Sequence, residues 1–207
     1  MTPPAVELAV PLPTRPPRPL ATWALIAVNL AVFLLEIPGG TTSAANLLGL
    51  GAMVAPATWL GHQWWRLLTA GFLHDGVVHL GLNAFALLVF GADLERRLGH
   101  GRLLVCYLVS GPAAMALLLA VTTVLGLGPE LVVGASASVM GVVGATLAVL
   151  ALAWWRNRSR APAWELWLLL ATVVAEVAFD VVTPRVSLLG HAGGLVSGLV
   201  LGALLSR

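Results

Sequence analysis

Serine and histidine side chains stand at the starts of two otherwise apolar segments. The stretch VVGASASVMGVVGA, residues 132–145, carries Ser136 and Ser138, and GHAGGLVSG near the C-terminus carries His191. A serine beside a neutral histidine is the minimum arrangement for nucleophilic catalysis, because the imidazole takes the hydroxyl proton as the oxygen attacks a carbonyl. Ser138 lies roughly 200° around a helix from Ser136, so we expect it to pack and not to react.

A second pair of polar residues, His79 and Asn83 in HDGVVHLGLNA, is spaced i, i+4. On a helix these side chains share a face at about 5–6 Å and can act together. His74 is expected at the junction between loop and helix. A zinc site would need a pattern such as His-x-x-x-His with a third ligand, which neither this spacing nor the single Cys106 offers. No metal or organic cofactor is therefore expected.

The composition identifies the solvent in which these residues must work. Of the 207 residues 59% are hydrophobic and only 10% are charged, against roughly 25% charged residues in soluble domains. Six apolar segments approach the roughly 20 residues that cross a bilayer, at about 19–37, 77–94, 102–125, 134–153, 163–182 and 187–205. Residues 1–18 are Pro-rich and are expected to form a disordered cytoplasmic arm. The fold class is therefore predicted to be all-α and polytopic.

The chain has no lysine, and its arginines are unevenly placed. One side of six alternating spans would hold Arg15, Arg18, Arg96, Arg97, Arg102, Arg156, Arg158, Arg160 and Arg207, and the other only Arg66 and Arg185. Cytoplasmic loops carry such an excess, so we expect a multi-pass protein of the bacterial cell membrane with both termini cytoplasmic. The net charge of +2 belongs to this topology, and no nucleic-acid partner is expected.

In this orientation the second, fourth and sixth spans all run from the outer face inward. Their first turns, with His79, Ser136 and His191, therefore lie at one depth, and ionisable residues inside a membrane are functional candidates. The sixth span repeats small residues at Gly190, Gly194, Gly198 and Gly202, and the fourth offers Gly134, Gly141, Gly144, Ala145 and Ala148. Small residues let helix backbones approach in lipid, so these two spans are expected to pack with Ser136 opposite His191.

Several motifs follow one another over roughly residues 20–205. They are Gly134-Ala135-Ser136-Ala137 with Gly141 beyond it, His191 with Gly194 and Gly198, the trio His74, His79 and Asn83, Trp65-Arg66, and Glu95-Arg96. Together they resemble the motifs of the rhomboid intramembrane serine proteases. Ala137 replaces the usual glycine and Met140 replaces an aromatic found in some members, but neither change removes a reacting group.

The resemblance implies a six-helix rhomboid-like bundle over residues 19–207 and an intramembrane serine endopeptidase. It implies a dyad of Ser136 as nucleophile and His191 as general base, with no obligatory acid. His79, Asn83 and the backbone N–H of Ser136 would form the oxyanion hole. The implied substrates are single-span membrane proteins, cut within or next to their transmembrane segments.

Alternatives remain open for several of these residues. Asn83 can instead be a hydrogen-bonding contact between helices, and Trp65-Arg66 fits an interfacial anchor, with an aromatic beside a snorkelling cation. Asp180 is at the depth of a triad acid, but an interfacial residue facing water is the expectation. For Glu176, one turn deeper on the same face, we expect a hydrogen bond to a neighbouring helix.

Three acidic and basic residues after the second span, Glu95, Arg96 and Arg97, are expected to pair with backbone groups of loops. They would lie on the cytoplasmic side, far from the other candidates.

Two rival functions also remain. One is a catalytically silent rhomboid-like protein that binds membrane-protein clients, although such proteins usually lack the serine or the histidine. The other is a transporter, for which no inverted repeat is visible.

Overall fold

The computed structural model describes residues 18–126, 131–157, 163–182 and 187–206. The arm predicted over residues 1–18 lies outside this part of the chain, apart from Arg18. The helices are α1 (Leu20–Glu36), α2 (Ala44–Leu50), α3 (Ala55–Trp59), α4 (Arg66–Thr69), α5 (Val77–Ala86), α6 (Ala92–Leu98), α7 (His100–Val124), α8 (Ser136–Asn157), α9 (Ala163–Val182) and α10 (Leu188–Leu205). A π-helical stretch, Leu87–Gly91, joins α5 to α6, and short 3-10 turns follow α1 and α4.

Five helical stretches in the described residues are long and apolar enough to cross a bilayer. They are Leu20–Gly39, Val77–Leu98, His100–Val124, Ser136–Arg156 and Leu188–Leu205. The all-α, multi-pass prediction is thus confirmed, with boundaries within a few residues of those expected. The fifth predicted span is α9, which has 20 residues, carries Glu165, Glu176 and Asp180, and is not among these five stretches.

Polarity is distributed as expected for a protein surrounded by lipid. Leu34 and Leu35 on α1 and Trp167 on α9 are 64%, 66% and 68% exposed, whereas Glu36 and His74 are fully buried. In lipid an outward apolar surface carries no penalty, while an unpaired polar group does. The polar side chains of this bundle therefore lie in its interior, where neighbours can bind them.

Buried contacts fasten the ends of the helices on the arginine-rich side. Glu95 accepts hydrogen bonds from the backbone N–H groups of Ala21 and Thr22, each at 2.8 Å, and so binds the start of α1 to the end of α6. The first turn of a helix has N–H groups without intrahelical partners, and this carboxylate satisfies two of them. The expected pairing of Glu95 with backbone groups is present, although its partners lie in a helix and not in a loop.

Within the described part of the chain the two neighbouring arginines pair with carboxylates and not with backbone groups, so that expectation was wrong. Arg97 binds the carboxylates of Asp93 and Glu165, at 2.6 and 2.7 Å, and Arg96 lies 3.6 Å from Asp93. Carboxylates within reach give arginine a charge-assisted hydrogen bond, which is stronger than a bond to a neutral carbonyl. The Arg97–Glu165 pair places the start of α9 beside the end of α6.

Helices α8 and α10 pack so closely that their backbones touch. A Cβ on Gly198 would collide with the carbonyl of Gly141, and a Cβ on Gly202 would stand 2.6 Å from the Cα of Ala145. Gly194 lies in the same way against the backbone of Ala137. Small residues at four-residue intervals on α10 therefore determine how near it comes to α8.

The loops on the opposite end of the bundle meet in a small two-stranded sheet. Strand β1 (Met53–Val54) pairs antiparallel with β2 (Leu131–Val132), with Met53 opposite Val132. The N–H of Gly134 donates to the carbonyl of Ala70 at 2.9 Å. These bonds fix the chain immediately before α8, and so fix where α8 begins.

Candidate active site

Ser136 on α8 and His191 on α10 are 55 positions apart in the sequence, and the fold brings them together. The Oγ of Ser136 lies 2.5 Å from the Nε2 of His191, and both residues are 4% exposed. This distance is shorter than that of an ordinary hydrogen bond between a hydroxyl and a ring nitrogen. The pair therefore has the geometry in which a histidine can take the proton of a serine.

Each member of the pair stands in the first turn of its helix. Ser136 is the first residue of α8, and His191 is the fourth of α10. Ser187 caps α10, because its side chain accepts a hydrogen bond from the N–H of Gly190 at 3.3 Å. This cap fixes the start of the helix and with it the height of His191.

His79 and Asn83 lie one above the other on α5 and are buried, at 2% and 3% exposure. The Asn83 side-chain amide donates to the His79 carbonyl at 3.0 Å, which leaves its second N–H for another acceptor. The N–H of Asp75 donates to His79 Nδ1 at 3.4 Å. An acceptor role for Nδ1 places the proton of a neutral imidazole on Nε2, and that nitrogen is then a donor.

Gly134 separates His79 from Ser136. Its φ of +130° is one that residues with a side chain rarely adopt. A Cβ there would stand 2.9 Å from His79 Nε2 and 3.3 Å from Ser136 Oγ. Any larger residue would therefore fill the space between the imidazole and the hydroxyl.

The backbone at Ser136 is a further donor at the same place. Since α8 starts at Ser136, its N–H is among the first N–H groups of a helix, which have no partner inside that helix. The carbonyl of Ala135 already accepts the N–H of Val139 at 2.9 Å, as expected where the helix begins. The positive end of the α8 dipole consequently faces the candidate site.

A cavity of about 240 Å³ lies between α5 and α9 beside these residues. Its polar lining includes His79, Asn83 and Glu176, and most of its wall is apolar, with Leu82 and Phe85 among the contributors. Polar groups that converge in an apolar cavity are typical of ligand sites. The cavity gives a substrate segment room to reach the polar residues from the side of the bundle.

Glu176 lies on the other side of His191 from Ser136. Its Oε2 is 3.8 Å from His191 Nδ1, and the glutamate side chain is 12% exposed. The helix that faces Glu176 is thus α10, and the separation is that of an ion pair and is longer than the expected hydrogen bond. The role considered for Asp180 falls on a side chain outside the described part of the structure.

The second serine of the opening stretch lies in another environment. Ser138 is 4% exposed, and its Oγ occupies the space where a Cβ on Gly111 of α7 would stand. It therefore packs between α8 and α7, on a face of α8 that is turned away from His191. Met140, also on α8, is buried at 3% exposure.

The Trp65-Arg66 pair behaves only partly as expected. Trp65 is 56% exposed, but Arg66 is 9% exposed, so the snorkelling cation was a wrong prediction. The Arg66 guanidinium donates to the carbonyls of Leu48 and Ala52, at 2.8 and 2.7 Å, and to Gln63 at 2.6 Å. It holds the loop between α2 and α4 together, because its fork of donors satisfies several carbonyls at once.

Known proteins resemble this chain in sequence. The family model of the rhomboid domain matches residues 61–207 of this chain. The rhomboid protease GluP of Bacillus subtilis is 33% identical over 189 residues, which are 91% of this chain and 35% of that protein. RHOMBOID-like protein 6, mitochondrial, of Arabidopsis thaliana is 33% identical over 83% of this chain and 53% of its own length.

Not every similar protein is named as a protease. Inactive RHOMBOID-like protein 8 of Arabidopsis thaliana is 31% identical over 79% of this chain and 44% of its own length. The chain thus spans between about a third and about a half of the length of these relatives. With the domain match covering more than half of the chain, the protein belongs to the rhomboid family of multi-pass membrane proteins, which includes intramembrane serine proteases.

Proposed function

We propose that this protein is an intramembrane serine endopeptidase that cleaves single-span membrane proteins within or next to their transmembrane segment. The observation that carries the proposal is the buried contact of 2.5 Å between Ser136 Oγ and His191 Nε2. It is supported by family membership and by a relative named as a protease. Ser136 is the nucleophile, and His191 is the general base and then the general acid.

In the first step, the Ser136 oxygen forms a bond to the carbonyl carbon of the substrate while its proton moves to His191 Nε2. The carbonyl π electrons move onto the oxygen, which becomes an oxyanion. His79, the Asn83 amide and the Ser136 N–H donate hydrogen bonds to it. Donors fixed before the reaction stabilise developing charge without reorganising, and each is worth on the order of a hundredfold in rate.

The remaining steps return the enzyme to its starting state. The oxyanion collapses, the C–N bond breaks, and His191 gives its proton to the leaving nitrogen, so that an acyl-serine and a free amine remain. Water then attacks the acyl carbon as His191 takes a proton from it. The second collapse breaks the C–O bond to Ser136, which regains that proton and releases the new carboxyl terminus.

The depth of the site fits a substrate that must unwind. A helical peptide bond hides its carbonyl in a backbone hydrogen bond, so it must leave the helix before Ser136 can attack it. Each reacting side chain stands in the first or second turn of its helix, a few residues below one end of the bundle. Hydrolysis also requires water at this depth, and the cavity between α5 and α9 gives the unwound segment a lateral entrance.

A catalytically silent protein that binds membrane-protein clients is the second candidate. The similarity to Inactive RHOMBOID-like protein 8 favours it. In that case Ser136 and His191 would be retained for packing alone, and the serine would not react.

Labelling by a serine-reactive fluorophosphonate tests the proposal on the full chain in detergent. We expect label on the wild type and on Ser138→Ala, and we expect Ser136→Ala and His191→Ala to lose it almost completely. Ser138 is the matched control because it is a buried serine on the same helix with no contact to the histidine. Equal labelling of folded wild type and Ser136→Ala would instead leave client binding as the function.

A further inference from the structure

We propose that Glu176 is a positioning residue for His191, so that the dyad works as a charge-assisted triad. This inference rests on the proposed function, and it concerns a residue on α9 that the Ser136–His191 pair does not require by itself. Glu176 Oε2 lies 3.8 Å from His191 Nδ1, while Ser136 Oγ lies 2.5 Å from Nε2 of the same ring. The imidazole therefore stands between a carboxylate and a hydroxyl.

This placement selects one form of the ring. Nε2 can accept the serine proton only if the proton of the neutral imidazole is on Nδ1. A carboxylate facing Nδ1 favours that tautomer, because Nδ1–H can donate to it and a bare Nδ1 would face negative charge. Glu176 thus keeps the lone pair of Nε2 directed at Ser136.

The carboxylate acts more strongly once the reaction begins. When Nε2 takes the serine proton the ring becomes a cation, and the separation of 3.8 Å from Glu176 then joins opposite charges. Both side chains are largely buried, at 5% and 12% exposure, where water screens charge less than in bulk. A gap that is long in the resting enzyme can close in the complex with substrate.

The contacts of Glu176 differ from those of a carboxylate that only holds one helix against another. α9 carries another carboxylate, Glu165, and that one lies 2.7 Å from Arg97 and holds the start of α9 to α6. Glu176 lies instead beside the ring of the candidate base and lines the same cavity as His79 and Asn83. One helix therefore offers a structural carboxylate and a positioning carboxylate for comparison.

The test measures the inactivation of the full-length protein by a fluorophosphonate and separates kinact from KI. Removing a unit charge about 4 Å from the imidazolium should lower kinact by at least about tenfold in Glu176→Gln, with KI unchanged. Glu165→Gln is the matched control, which should lower the melting temperature and leave kinact unchanged. A docking role for Glu176 would give the pattern of Glu165.

Conservative variants of Glu176 provide a second measurement, so that the conclusion does not depend on one substitution. Gln matches Glu in shape and lacks the charge, whereas Asp keeps the charge and loses a methylene. We expect kinact to rank wild type first, then Glu176→Asp, then Glu176→Gln. Formate should also raise kinact of Glu176→Ala, and neutral formamide should not.

The outcomes separate the two proposals. Wild-type kinetics in folded Glu176→Gln, or a Gln variant faster than the Asp variant, would overturn the role of Glu176 and leave the dyad intact. Wild-type protein that takes no more label than Ser136→Ala would overturn the proposed function, and the role of Glu176 with it. Loss of kinact with rescue by formate would support both.

Discussion

His74 is a buried histidine whose pKa is strongly shifted by its surroundings. It is fully buried, its backbone N–H donates to Glu36 at 3.0 Å, and its ring meets that of His79 edge to face at 5.4 Å. Burial, with a smaller contribution from the nearby His79, lowers the pKa of His74 to about 3. The ring is therefore neutral in the folded protein at physiological pH.

We predict that His74 makes the folded state less stable in mild acid. The unfolded chain binds a proton at His74 below a pKa of about 6.5, whereas the folded chain resists protonation down to about 3. Stability is thus complete above about pH 6.5 and falls as the pH drops towards 3. Between pH 7.5 and pH 5 the loss from this group should be about 2 kcal/mol.

The measurement is the melting temperature in detergent at pH 7.5 and pH 5, for wild type and for His74→Phe. Phenylalanine fills a similar volume and does not titrate, so the wild type should lose more stability on acidification than the variant. Parallel losses in the two proteins would show that other groups cause the acid sensitivity.

At the scale of elements, the approach of α8 to α10 determines whether Ser136 can reach His191. The two helices touch through backbone atoms at Gly141, Gly194 and Gly198. At these points no flexible side chain lies between the helices that could move to absorb a change in their spacing. Close-packed interfaces respond to the addition of even one methyl group. The candidate active site consequently depends on residues that lie one to two turns below it.

We predict that Gly198→Ala destabilises the protein, because the new Cβ would collide with the Gly141 carbonyl. Overpacking of this kind costs roughly 1–3 kcal/mol, and the shift of α10 should also slow labelling at Ser136. Gly81→Ala on α5 is the control, since nothing lies within 4 Å of its new Cβ. Thermal unfolding of both variants in detergent decides, and equal melting temperatures would contradict the prediction.

At the scale of the whole molecule, Arg97 and Arg156 take part in contacts between helix ends. Glu95 joins the start of α1 to the end of α6, and Arg97 joins that end to the start of α9. Arg156 at the end of α8 donates to Ser206 after α10 at 3.3 Å. Twenty residues of helix separate Ser136 from Arg156, a rise of about 30 Å. The candidate site and these arginines thus lie at opposite ends of the bundle.

From this arrangement we predict that both termini lie in the cytoplasm and that Ser136 is near the outer face. The excess of arginine at one end sets such an orientation. Fusions to the C-terminus of the full chain measure it directly. A green fluorescent protein should fluoresce there and alkaline phosphatase should be inactive, and the reverse pattern would place the C-terminus outside.

The sequence by itself determined the membrane helices and indicated which residues are the candidates for catalysis. Long apolar segments leave a chain in lipid no alternative to helices, and the few polar residues inside them, such as Ser136 and His191, were costly enough to stand out. The glycines of α8 and α10 likewise indicated which spans would pack, because few other patterns permit backbone contact.

Only the tertiary structure decided which polar groups meet. Among the described side chains, Glu176 is a carboxylate that lies beside His191, since the rotation of α9 and its distance from α10 depend on packing that one span cannot encode. Arg66 is buried among loop carbonyls, and Arg97 pairs with a glutamate 68 positions away. Sequence periodicity shows which face of a helix a residue occupies, whereas the partner on the facing helix follows from how the whole bundle packs.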